Sequence, residues 1–440
     1  MNQVNNFSRR QLLRGGGLAL SAIGVGGLLS ACGGSANAAQ KEQLRFWHLL
    51  SGGDGIKMQA MIDAANASQQ EFHVNPTVLA WGPPYYTKLA MASAGGRPPE
   101  VAVMHASRVA GYAPGGLLDS WDLDLLASKG VSEQDFAPRI WENSLQDGKL
   151  FSIALDSHPF ILMYNTEVAG KAGLLGANGQ LESTYTPEGF KEMAVEMAKV
   201  TGKHGLSYGY LGDGAQMWRL FYTLYKQHAA PMELVQGQKA VVDRDVAVDV
   251  LEYIHSLLDD TIATPSGDGG TAIAEFAAQD SGMFMSGVWE LPTMQTAKVP
   301  FDAMPIPTLF GTPAAYADSH SFVLPHQLNL DSRKRELVYS FVADILKGSF
   351  SWAQAGHIPA YQPVVQSTEY AELLPQSHYS GAADIINYDP RAWFTGSGSD
   401  FQSFFAENVQ NVFLGRTKAK DGWDSFIRRL DTLLSKPNPV

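Results

Sequence analysis

Leu44-Arg45-Phe46-Trp47, followed by Ser51-Gly52-Gly53-Asp54-Gly55, opens the stretch 44–104 whose periodicity decides the fold class. The first four residues read as a strand and the glycine-rich group as a turn. Over 56–68, apolar Met58, Met61, Ile62 and Ala65 recur at helical spacing. Residues 74–81 alternate as a strand, 85–94 are again helical, and 101–104 form a short apolar strand. This β-α-β-α-β opening predicts an α/β fold, with a sheet covered by helices on its faces.

Further along, Asp147-Gly148-Lys149 reads as a turn into the strand 150–154, and 160–164 is another apolar strand. Helical patterns then dominate, near 187–200, 216–227 and 243–259. No fixed-period repeat is present.

The N-terminus reads as an export signal. Arg9-Arg10 precede an apolar run over 18–29 that is broken by glycines and free of acids. That run is shorter than the roughly 20 apolar residues a membrane span needs. Leu29-Ser30-Ala31-Cys32 resembles the lipobox of bacterial lipoproteins, which implies lipidation of Cys32 and removal of 1–31. Ser8-Arg9-Arg10-Gln11-Leu12-Leu13 resembles the twin-arginine (Tat) export motif, with Gln11 where that motif carries a bulky residue; the twin-arginine and general routes both stay open. Residues 32–43 would then form a lipidated tether, its Gly/Ser/Ala/Asn stretch over 33–40 flexible. Localisation follows: exported, and lipid-anchored to the outer face of the cytoplasmic membrane.

Composition narrows the partners. Cys32 is the only cysteine, so no internal disulfide can form. With 45% hydrophobic and 10% aromatic residues, the 440-residue chain is globular, long enough for two or three domains. The formal charge is −12, and removing Arg9, Arg10 and Arg14 with the signal leaves −15. Such an acidic balance argues against nucleic acid and against charge-driven binding to anionic lipid.

Several segments, in order, carry a family resemblance. Asp147-Gly148-Lys149-Leu150-Phe151-Ser152-Ile153-Ala154, Met163-Tyr164-Asn165 and Lys171-Ala172-Gly173-Leu174 resemble a turn, strand and "YN" segment of the extracellular solute-binding proteins that deliver carbohydrates to ABC importers, the group typified by maltose-binding protein. Thr186-Pro187-Glu188-Gly189-Phe190 is similar to that family's "P-x-T-W-x-E" helix start without the tryptophan. Met283-Phe284-Met285-Ser286-Gly287-Val288-Trp289-Glu290 resembles its "A-M-x-x-x-G-x-W" segment. Ala303-Met304-Pro305-Ile306-Pro307 and Gly356-His357-Ile358-Pro359-Ala360 resemble later landmarks. Residues 94–103 resemble its "A-G-x-x-P-D-V" turn with Glu100 for the aspartate.

The resemblance implies a two-lobe periplasmic-binding-protein fold, type II-like, with three hinge crossings. One lobe would comprise 44–155 with 325–348, the other 156–324 with 349–440. It also implies a monomer that grips a carbohydrate between its lobes and hands it to membrane permease subunits. A glycerophosphodiester-binding protein of the same fold is the alternative ligand class, and a secreted carbohydrate-active enzyme the alternative of another kind.

Sugar sites combine aromatic platforms with planar or charged hydrogen-bonding groups. Trp47 and His48 close the first strand, where an open-sheet site lies; capping the sheet's core is the competing role. His105 occupies the equivalent end of its strand. Tyr85 and Tyr86 start a helix, one facing the cleft and the other packing. Trp81 is assigned to the buried face of the preceding strand. Asp156 and Ser157 fall at the first implied crossing, where the aspartate can accept from adjacent hydroxyls or cap a turn. The resemblance adds Trp218 at a helix start, Trp289 in the "G-x-W" segment and Trp393 near the C-terminus. His320, His357 and Arg391 are open between ligand contact and structural hydrogen bonding.

An enzyme is not expected. Glycoside hydrolysis needs two carboxylates about 5–10 Å apart, and nothing in the sequence fixes such a pair. There is no Gly-x-Ser-x-Gly elbow, P-loop or His-Glu-x-x-His. No catalytic residue, cofactor or metal is assigned, because the histidines show no ligand spacing.

Overall fold

The computed structural model describes residues 41–182 and 186–439; the expected export signal, the lipobox-like segment with Cys32 and most of the expected tether lie outside these. The opening strands form in the order read, but the second spans 72–78 and not 74–81, and Gly52 to Gly55, read as a turn, begin the first helix. Glu42–His48 pairs in parallel with Phe72–Val78 on one side and Val101–His105 on the other. Between them run the helices Gly52–Ser68 and Pro83–Ala94. Within Val101–His105, Val101 and Val103 enter one apolar cluster while Ala102 and Met104 enter another. A strand buried on both faces reads as a continuous apolar run for this reason.

A second sheet is built on the ten-residue strand Asp156–Asn165, buried throughout. It pairs antiparallel with Ser281–Gly287, Phe301–Pro305 and Ala315–Asp318. Phe160, Leu162 and Tyr164 face a helical layer containing Met217, Trp218 and Phe221; Ile161 and Met163 face the opposite layer. The helices Asp400–Phe413 and Ala419–Leu434 complete this second lobe, with Phe401, Phe405 and Trp423 in its core. Glu100 is explained locally: its carboxylate takes the backbone N–H and the guanidinium of Arg45.

The chain passes between the sheets three times. Ser152–Ala154 pairs in the first sheet and Asp156–Asn165 in the second, so Leu155 alone makes the first passage. Ala315–Asp318 lies in the second sheet and His320–Pro325 in the first, so Ser319 makes the next. That passage therefore falls at Ser319 and not between Leu324 and Pro325, because His320, Ser321, Phe322 and Val323 pair with Val101–His105. After the helix Ser332–Lys347, which packs on the first lobe's core, Ile358–Pro359 rejoins the second sheet against Asp156 and Ser157.

Candidate functional site

The passages frame a cavity of about 550 Å³ lined from both lobes, within the size range of small-molecule sites. The first lobe contributes 49–54, Trp81 and His105. The second contributes His158, Gln216, Arg219, Phe284, Ser286, Trp289 and Glu290, among others. A Cβ placed on Gly53 would come within 3.3 Å of Pro292, so the lobes approach each other closely at this margin.

Each polar wall residue has a local reason for its place. Asp213 caps the helix Gly214–Gln227 by accepting from the N–H groups of Ala215 and Gln216. The helix then turns Gln216 and Arg219, three residues apart and hence on one face, into the cavity. Trp218 points the other way, into the core, where it stacks on Tyr222 and donates to Asp389 over 2.5 Å. Asp389 is buried with it, and desolvation, reinforced by Asp318, pushes its carboxyl up to about 7.

Arg219 is only 7% exposed. Its Nη1 donates to Gln216 at 3.3 Å, its guanidinium lies 4.5 Å from the centroid of the Trp289 ring, and its Nε has no partner. No described carboxylate forms an ion pair with it. The Trp289 ring occupies the space that a Cβ on Gly287 would need, which accounts physically for the "G-x-W" spacing. Nearby, burial raises the Glu290 carboxyl above its ordinary value. The helix Gly52–Ser68 starts at the cavity with no side-chain cap, so its first N–H groups are available to a ligand acceptor.

The floor is a histidine cluster around Asp156. Its Oδ1 accepts from the His320 backbone N–H at 2.8 Å and lies 3.0 Å from His158 Nδ1. Its Oδ2 accepts from Trp352 Nε1 at 2.7 Å and lies 2.8 Å from His320 Nδ1. Burial alone would raise Asp156, but His320, His158 and His357 hold it well below the usual carboxylate range. Burial opposes charge on His357 too, yet Asp54 and Asp156 lift it to about 10. His105 is held low by burial and by its neighbours His320 and His158. The cluster brings Asp156, His158, His320 and His357 close enough to hold a metal ion. Sequence spacing could not disclose this grouping, because the four residues come from three separate passages.

Of the residues singled out from sequence, His105, Trp289 and His320 line the cavity. The others do not, for definite reasons. Trp47 packs beside Lys88, and His48 is buried next to Phe46. Tyr85 donates to the carbonyl of Val103 at 2.5 Å. The Tyr86 hydroxyl lies 2.6 Å from His105 Nδ1, so both tyrosines pack behind the wall. Asp156, Ser157 and His357 sit beneath the floor, fully buried. Arg391 is spent on the carbonyls of Glu142, Asn143 and Leu145. Trp393 lies against Phe394 in a separate depression. Conversely Trp81, assigned to a buried strand face, stands beyond the end of its strand, 45% exposed, on the cavity wall. Gln216 and Arg219 went unread; a helical wheel anchored on the apolar face of 214–227 would have placed both opposite the core.

No described helix is long and apolar enough to cross a membrane. The sn-glycerol-3-phosphate-binding periplasmic protein UgpB of Yersinia pseudotuberculosis is 20% identical over 425 residues, covering 91% of this chain and 94% of that protein. The GacH receptor of Streptomyces glaucescens, solved unliganded and with acarbose, superposes with a TM-score of 0.73 at 18% identity, over 89% of this chain and 99% of the receptor. UgpB of Mycobacterium tuberculosis, solved with glycerophosphocholine, gives 0.74 at 15% identity, over 90% and 98%. These neighbours share the two-lobe binding-protein fold. The bacterial extracellular solute-binding protein model matches residues 60–335, more than half of the chain, and the chain belongs to that family.

Proposed function

We propose that this chain is the solute receptor of an ABC importer and that it captures a sugar or short oligosaccharide in the interlobe cavity. The observation that carries the reading is Trp289, its ring face fixed over Gly287 and backed by Arg219 inside a two-lobe cavity. An aromatic face suits the C–H side of a pyranose, while Gln216, Ser286 and His105 offer groups to its hydroxyls. Capture is binding without chemistry: the lobes close because the ligand favours the closed form. The closed receptor then presents both lobes to permease subunits. The mature protein is monomeric, exported by way of its leader, and tethered by lipid on Cys32 to the outer face of the membrane.

A second ligand reading rests on a specific observation. Arg219 is a buried cation with no carboxylate partner among the described residues, which suits a phosphate or phosphodiester oxygen. The Yersinia relatives named for sn-glycerol-3-phosphate add weight to it.

Isothermal titration against a sugar panel and a glycerophosphate panel, with chromatography for products, tests both. Saturable heat with an unaltered sugar supports the main reading, and heat with glycerophosphates alone supports the second. Turnover of any panel member would overturn the receptor reading. Loss of membrane partitioning in Cys32→Ala, with the wild type retained, tests the anchor.

A further inference from the structure

We propose that Asp156, His158, His320 and His357 form a binding site for one divalent first-row transition-metal ion at the floor of the cavity, a site that clasps the three interlobe passages together. One potential ligand atom from each residue lies within 4.8 Å of all the others. All four residues are buried: Asp156 and His357 completely, His158 at 3% and His320 at 6% exposure. Asp156 and His158 directly follow the first passage, His320 follows the second and His357 ends the third.

His357 supplies the independent pointer. Its Nε2 donates to Asp54 Oδ1 at 3.0 Å, which turns Nδ1 toward Asp156. That buried Nδ1 has no hydrogen-bond partner, yet it sits 3.0 Å from Asp156 Oδ2. The contact between this nitrogen and the carboxylate oxygen is a place for a cation, either the proton of an imidazolium or, in its stead, a metal ion. Carboxylate, imidazole and metal in series is the usual outer support of a histidine ligand, and Asp54 holds the outer position here.

Distances agree with this assignment. Metal–nitrogen and metal–oxygen bonds of about 2.0–2.2 Å separate tetrahedral ligand atoms by roughly 3.3 Å. Asp156 Oδ1 stands 3.0 Å from His158 Nδ1, and Oδ2 stands 2.8 and 3.0 Å from the Nδ1 atoms of His320 and His357, so the nitrogens already surround the carboxylate at close to ligand–ligand spacing. Three imidazoles and one carboxylate suit zinc and its first-row neighbours, not calcium or magnesium, which take oxygen ligands. The proposal holds whichever solute the cavity takes.

The test uses the full mature protein in detergent, stripped with chelator, dialysed, and titrated with Zn2+ and separately with Co2+. One equivalent of bound zinc is expected, with the visible bands of a low-symmetry Co2+ complex. His357→Gln should abolish both. Asp54→Asn, which alters only the outer support, should weaken zinc binding by about 10- to 100-fold with a native circular dichroism spectrum. Failure of the folded wild type to bind stoichiometric metal would leave only a proton in the gap and overturn the proposal. Unchanged affinity in a folded Asp54→Asn together with a folded His357→Gln would also overturn it, by moving the metal elsewhere.

Discussion

Replacing Asp389 by asparagine should stabilise the protein in a pH-dependent way whose sign and size follow from its surroundings. The carboxyl lies under the Trp218 indole, 3.2 Å from the Tyr316 hydroxyl, and its value rises from 3.8 to about 7. A folded-state value above the unfolded one means that the folded protein binds the proton more tightly. The carboxyl's contribution is thus fully present below pH 4 and is lost as pH rises through about 7. About 3 units at about 1.4 kcal/mol each sets a ceiling near 4 kcal/mol. Asparagine keeps the acceptor for Trp218 and carries no charge, and the Tyr316 hydroxyl retains Ser397 at 3.2 Å. Urea unfolding of wild type and Asp389→Asn at half-unit steps from pH 4 to 8 measures the difference directly. It should be near zero at pH 4 and grow by up to about 4 kcal/mol in the variant's favour by pH 8. A difference that stays flat, or grows toward acid, refutes the assignment of a buried, protonatable carboxyl.

Trp289→Ala should weaken solute binding by about 10- to 100-fold, the loss of about 1.4–3 kcal/mol of aromatic contact, while thermal unfolding moves less than for a core tryptophan because the ring is only partly buried. Arg219→Met should lower affinity for a neutral sugar by no more than about tenfold. For a phosphate-bearing solute it should lower affinity by more than about a hundredfold, since a charge-assisted pair is lost; calorimetry separates the two. Trp218→Phe should leave solute affinity unchanged and lower unfolding free energy by about 1–3 kcal/mol, as Asp389 loses its indole donor.

The first sheet was legible in the sequence because Val101–His105, buried on both faces, leaves an unbroken apolar run, Glu42–His48 and Phe72–Val78 alternate, and the helices between them leave a 3.6-residue period. Cavity residues followed a different logic. Trp289 was legible through Gly287, because the ring needs the space a side chain would fill. Trp218 misled because its helix presents two faces, and tryptophan alone does not say which is the core. Arg391 misled similarly: a cation near the C-terminus reads as a ligand group until three backbone carbonyls are found around it. Arg219 shows the reverse, a buried cation left without such partners.

Asp156 shows what no local pattern can disclose. Its carboxylate takes donors or close ring nitrogens from its own strand, from His320 after the second passage, and from Trp352 and His357 in the third. A lobe rotation that moved any passage away from this point would strip partners from a wholly buried charge, a loss of about 3–5 kcal/mol where such pairs are broken. Rotation about an axis through this point keeps those contacts, and the backbone change then falls on Leu155 and Ser319, the single residues between paired strands. The histidines that form this anchor also form the cavity floor: His158 and His320 face the solute space while bonding to Asp156. A group seated on the floor would therefore touch the same side chains, and lobe closure about such an axis would couple occupancy of the cavity to the passages through two imidazole rings and one carboxylate.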